Sequence, residues 1–196
     1  RAAMRVTSSG TSGSFSRVNF DWGCILAEAP MVLRLGFYHR LASPVPAHYV
    51  VLGYKPGRHD KMGVARTMFG LTHFAPPVGR FYALKWRGGG YALDLDGAVK
   101  ALARWARGPL PVRIVAFPSY LWFGMERLEE LGLSVRLPKG SKILLAGGWK
   151  QHYAQEVDKS TLYALAKKVL GVEEENIHEF FGAVEHPVFF NTCEKH

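Results

Sequence analysis

Pro111-Val112-Arg113-Ile114-Val115-Ala116-Phe117-Pro118 decides the fold of this chain. Apolar residues run almost unbroken from Val112 to Phe117, the pattern of a strand buried on both faces. Pro118 follows at once, and proline is well placed in the first turn of a helix. The strand is therefore expected to turn straight into a helix. Leu121, Met125, Leu128 and Leu131, at spacings of four, three and three, mark its core face. Gly132 is the expected stop. A buried strand followed by an amphipathic helix is one unit of a parallel sheet.

The same unit recurs on both sides. Downstream, Ser141 to Ala146 reads as another buried strand, ending in Gly147-Gly148-Trp149-Lys150. Asp158 or Ser160 then caps a helix carrying Leu162, Leu165, Ala166 and Val169, with Gly171 as its stop. Ile177 to Phe181 is the last strand expected before Gly182-Ala183-Val184-Glu185-His186-Pro187. Upstream, residues 15–20 alternate as a strand, and 21–40 read as a mostly apolar helix with Asp21 at its start. Residues 48–53 form a short buried strand, and a helix is expected near 61–73. Phe81 to Trp86 and Tyr91 to Leu93 are strand-like around Gly88-Gly89-Gly90. Asp94 or Asp96 then caps a helix to about Arg107. The expected fold class is α/β: a mainly parallel sheet flanked by helices.

Length and composition set the outer limits. The chain has 196 residues, 48% hydrophobic and 21% charged, which suits a single globular domain and not a disordered segment. No apolar run reaches the roughly 18 residues that span a bilayer. Two cysteines, Cys24 and Cys193, make no disulfide framework, so a cytoplasmic setting is expected. The net charge is +9, and residues 1–125 carry 16 Lys/Arg against 5 Asp/Glu. That excess suits an anionic ligand. Nucleic acid is not the expected partner, because the basic residues are scattered singly and no nucleic-acid motif is present.

Three loops carry the candidate chemistry. Ser8-Ser9-Gly10-Thr11-Ser12-Gly13 follows a strand-like Met4-Arg5-Val6. Glycines free backbone N–H groups to approach a phosphate, and the hydroxyls add donors. It is not a Walker A loop, since no Lys follows Gly13. Gly147 and Gly148 let backbone approach a flat ligand at a strand end. Phe181-Gly182 can stack on a purine, and Glu185, three residues past the glycine, can hold Mg²⁺. All three loops fall at the carboxyl ends of strands, where parallel sheets bind ligands. The histidines are too dispersed for a metal spacing. No Gly-x-Ser-x-Gly elbow supports a hydrolase.

The order of these loops resembles the adenylate-forming superfamily of acyl and aminoacyl synthetases, and within it the LuxE-type acyl-protein synthetases. The residues that carry the resemblance are Ser8 to Gly13, Leu137-Pro138-Lys139-Gly140-Ser141 leading to Gly147-Gly148-Trp149-Lys150, Phe181 to Pro187, and Phe117-Pro118-Ser119-Tyr120-Leu121-Trp122. The resemblance implies a fragment of the large N-terminal domain of such an enzyme, residues 1–196, without the C-terminal lid. It implies ATP and Mg²⁺ as cofactors. Ser8, Ser9, Gly10, Thr11, Ser12 and Gly13 would wrap the β/γ-phosphates. Gly147, Gly148, Trp149 and Lys150 would line the adenine site, with Phe181 and Gly182 against the ring. Glu185 would be the catalytic, Mg²⁺-binding carboxylate, and Phe117, Pro118 and Trp122 would border the acyl pocket. The implied reaction activates a fatty or aromatic acid as acyl-AMP and transfers the acyl group to a thiol on a protein, with an acyl reductase as partner.

The chain also departs from the pattern. Ser14-Phe15-Ser16 stands where the superfamily usually has a Lys, and only Arg17 is near. The family aromatic is often Tyr, and here it is Phe181. The superfamily's ribose-binding Asp, its catalytic Lys and the acceptor Cys would fall beyond His196. Residues 1–196 alone are therefore expected to release no pyrophosphate. The alternatives are a CoA ligase of the phenylacetate–CoA type and a non-catalytic nucleotide-binding module.

Overall fold

The computed structural model describes residues 4–7, 17–57, 63–182 and 189–191. A two-stranded antiparallel sheet comes first, β1 (Met4–Thr7) and β2 (Arg17–Phe20), with Met4 opposite Phe20 and Thr7 opposite Arg17. Helix α1 (Trp22–Tyr38) follows, its first turn capped by the Asp21 carboxylate, which accepts from the Cys24 N–H at 2.8 Å. The main sheet then begins with β3 (Ala47–Tyr54), α2 (Gly63–Leu71), β4 (Pro77–Arg87) and β5 (Gly90–Leu93). It continues through α3 (Leu95–Trp105), β6 (Val112–Ala116), α4 (Pro118–Glu130), β7 (Lys142–Ala146), α5 (Lys159–Leu170), β8 (Ile177–Gly182) and β9 (Phe189–Asn191).

The seven strands lie in the order β5-β4-β3-β6-β7-β8-β9. The five inner strands are parallel, and the edge strands β5 and β9 each pair antiparallel. The class is thus the α/β fold expected from the strand at 112–117. Period-two alternation sorts the side chains onto two faces. A Cβ on Gly53 would meet Met68 of α2, whereas Leu52 reaches Gly124 of α4. So α2 and the end of α1 cover one face. The helices α3, α4 and α5 pack side by side over the other. Val50, Val51, Ile114, Val115, Leu144 and Phe117 are fully buried between the layers.

Several ends are set by local chemistry. Asp94, not Asp96, caps α3, accepting from the Gly97 N–H at 2.9 Å. Asp158, not Ser160, caps α5 through the Thr161 N–H at 2.7 Å. Gly132 (φ 64°) and Gly171 (φ 66°) take the left-handed conformation at the two helix ends. Leu131 departs from its expected core position and is 45% exposed. It lies one residue past the last turn of α4, so the helical spacing no longer aims it inward.

Helix α1 differs from the others. Its only buried residue is Gly36, where a Cβ would come 2.6 Å from a Phe74 ring carbon. The glycine lets the helix lie directly on that ring. Trp22, Leu26, Leu33 and Phe37 are left exposed along the helix.

Candidate functional site

The strand order fixes where a site can form. β3 is the first strand of the main sheet; β4 lies on one side of it and β6 on the other. In open parallel sheets the crevice at such a reversal, outside the carboxyl ends of the strands, is the usual ligand site. Here the Phe117 N–H donates to the Leu52 carbonyl at 3.4 Å, which ties the two strand ends together. Phe117 lies edge-on to Tyr54, with centroids 5.9 Å apart, and to Tyr120 at 5.7 Å. Tyr54 in turn meets Tyr91 at 4.7 Å. An aromatic wall therefore lines the reversal.

The Gly-Gly loop lies beside this wall. Gly147 has φ 78°, and its N–H donates to the Phe180 carbonyl at 3.3 Å. The turn thus stays hydrogen-bonded to β8 while it leaves the sheet, and both glycines are exposed. A short 3-10 helix, Lys150–Gln155, follows. Its His152 sits edge-on to Tyr120 (5.8 Å) and Phe123 (5.0 Å) of α4. His152 thus ties the loop after β7 to the helix after β6, and the Gly147–Phe180 bond ties the same loop to β8, so the carboxyl ends of β6, β7 and β8 are linked.

The expected site residues divide as follows. Gly147, Gly148 and Phe181 come together at the ends of β7 and β8, and Gly182 closes β8 opposite Phe189. Phe181 is 65% exposed, while its neighbour Phe180 is buried on the opposite face. Trp149, expected to line the adenine site, is only 5% exposed. Gly147 and Gly148 reverse the chain and turn its indole inward, so the aromatic surface offered at this edge is that of Phe181. Lys150 opens the 3-10 helix. Pro118 is the first residue of α4 and half-buried; Phe117 is fully buried, and Trp122 is half-buried against the core. Ser8 to Gly13 and Glu185 lie outside the described residues. Among those described, no group of three or more His, Cys, Asp or Glu could hold a metal ion.

Electrostatics around the edge are mild. Burial pushes the Tyr120 hydroxyl above its ordinary pKa, so it stays a proton donor at neutral pH. On the neighbouring face, burial and then a 2.7 Å hydrogen bond to Glu179 push Tyr163 up. Glu179 also pairs with Lys159 at 2.5 Å. These three groups fix β8 against α5 and so set the height of Phe181.

Tyr54 and His152 carry no expected role in the sequence, whereas Tyr120 lies within the stretch Phe117 to Trp122 that carries the family resemblance. His152 was set aside because no metal spacing includes it. Its position three residues beyond Trp149, in the loop already singled out, was the available signal. Tyr54 carries no such signal, because its role depends on β3 and β6 being neighbours.

The sequence matches the family model described as "Acyl-protein synthetase, LuxE" over residues 3–196. No curated protein matches it. Among the described residues, no helix is long and apolar enough to cross a membrane.

Proposed function

Because the chain belongs to the LuxE family of acyl-protein synthetases, we propose that it takes part in ATP-dependent activation of a fatty acid and transfer of the acyl group to a protein thiol. In the first step a carboxylate oxygen attacks the α-phosphorus, the bond to pyrophosphate breaks, and an acyl–phosphate anhydride forms. In the second, a thiolate attacks the acyl carbon and AMP leaves. The first step needs no covalent bond to the enzyme, so positioning is the protein's main task there.

The observation that carries the reading is the linking of the β6, β7 and β8 ends. Gly147 and Gly148 leave backbone open beside the exposed Phe181 ring, a platform suited to a flat purine. The aromatic wall of Tyr54, Phe117 and Tyr120 lies one strand away, on the side suited to an apolar acyl group. His152 stands between the two regions. Its ring can fix the distance between nucleotide and acid by bracing the 3-10 helix against α4. Ser8 to Gly13 are proposed for the phosphates and Glu185 for Mg²⁺ on the family resemblance, and no step is routed through the metal.

The test is carboxylate-dependent ATP–pyrophosphate exchange by the full-length protein across short, long and aromatic acids. Exchange with long-chain acids only is expected. Acyl-CoA formed from free CoA would redirect the reading to a CoA ligase. Nucleotide binding without exchange for any acid would leave a binding module in its place.

A further inference from the structure

We propose that the amino edge of the sheet, opposite the edge described above, binds a phosphate-class oxyanion between Arg113, Lys142 and the His39–His178 pair. The strand register builds this cluster. Arg80, Tyr49, Arg113 and Lys142 are aligned across β4, β3, β6 and β7, so they project from the same face. His178 of β8 is aligned with Leu144 and shares that face. Lys142 Nζ lies 3.2 Å from the Asn176 carboxamide oxygen and 3.4 Å from His178 Nε2. The His178 and His39 ring centroids are 5.5 Å apart.

The far end of the row is already satisfied. Arg80 donates to the Thr72 hydroxyl at 2.9 Å and meets His73, and Tyr49 exchanges hydrogen bonds with the Ala75 backbone. Arg113 shares the Tyr49 hydroxyl but is less fully satisfied. It is 2% exposed, and one guanidinium nitrogen donates to the Leu41 carbonyl at 2.5 Å. Its Nε is buried with no partner. Neither Arg113 nor the 4%-exposed His178 meets a carboxylate among the described residues. Burying a cation without a counter-charge is unfavourable, so buried cations are ordinarily paired. An oxyanion supplies Arg113 with the counter-charge that the described residues do not, and it accepts from the guanidinium and the ammonium. Two cations in one cluster favour a dianion over a halide.

Access comes past Asn176 and His39, both half-buried. Phe117 lies four positions beyond Arg113 along the extended chain, about 13 Å at the rise of a strand. The cluster is therefore separate from the proposed catalytic edge and does not depend on the function proposed for it.

The experiment follows the His178 imidazole by NMR while inorganic phosphate or pyrophosphate is added, with chloride at matched ionic strength as control. Saturable shifts of His178, together with a rise in its titration midpoint, are expected with phosphate and not with chloride. Lys142→Gln removes one cation from the accessible side and should weaken phosphate binding about tenfold, or about 1.4 kcal/mol. This variant is preferred because Arg113→Gln leaves a buried vacancy and is at risk of unfolding. Phosphate acting no differently from chloride would overturn the proposal. So would a folded Lys142→Gln protein that binds phosphate as tightly as the parent.

Discussion

Phe180 and Phe181 are adjacent in sequence and opposite in role, because a strand sends successive side chains to opposite faces. Phe180 is buried in the core and Phe181 is exposed at the strand end. Replacing each with alanine should separate stability from binding. Phe180→Ala is expected to lose about 3–5 kcal/mol of stability. Phe181→Ala should leave the melting temperature in place while weakening ATP binding by about 1–3 kcal/mol, the usual value of one stacking contact. Thermal denaturation and calorimetric titration read the two effects, and a large drop in melting temperature for Phe181→Ala would contradict the assignment. His178 makes a second prediction at this scale. Burial, reinforced by Lys142, His39 and Arg113, brings its pKa down to about 4. The unfolded chain takes up that proton near pH 6.5, so the unfolded state binds more protons between the two values. Stability should fall as pH drops through this window, by about 3 kcal/mol at most. Denaturant titrations at stepped pH test this, and His178→Gln should flatten the slope. Trp149 marks where sequence reading stopped at this scale. Its neighbours Gly147 and Gly148 announced a turn, but which way the turn aimed the indole depended on the loop's packing.

At the scale of elements, both ends of α5 follow from single residues. Asp158 accepts from Thr161 at its start, and Gly171 supplies the left-handed residue at its end. A Cβ on Gly171 would stay 3.6 Å or more from Arg136, so the cost of Gly171→Ala is backbone strain without a clash. That cost should be about 1–2 kcal/mol, and Asp158→Ala should also destabilise α5 by removing the acceptor at its first turn. Urea unfolding with an unchanged denaturant slope would support both. Most elements were legible in the sequence, since capping, glycine stops and apolar period are local properties. The choices between Asp94 and Asp96, and between Asp158 and Ser160, were not. Each pair lies within one turn, and the choice depends on where backbone donors come to rest. Leu131 was misplaced for a related reason: its spacing fits a helix that the chain leaves one residue earlier.

For the whole molecule, the strand order is the property that local sequence could not supply. Nothing near 112–117 says that β6 crosses to the far side of β3 from β4, yet that crossing creates the reversal lined by Tyr54, Phe117 and Tyr120. The candidate site was legible as separate loops and not as linked strand ends. The same topology orders the stability of the sheet. Ile114 and Val115 of β6 are paired on both sides and fully buried, whereas Gly90 to Leu93 sit on an edge. Amide hydrogen exchange should be slowest at β6 and clearly faster at β5. Equal protection across the sheet would contradict this arrangement.

The uncovered row on α1 has a consequence for the protein in solution. Trp22, Leu26, Leu33 and Phe37 present hydrocarbon to water on a molecule whose formal net charge is +9. Attraction between such rows is short-ranged, while repulsion between like-charged molecules reaches about 10 Å at 0.1 M salt and only about 3 Å at 1 M. Added salt should therefore turn the osmotic second virial coefficient from positive to negative, as light scattering would measure. Leu33→Glu should keep it positive over the same range. The colloidal stability of this protein is then set by its ionic surroundings as much as by its fold.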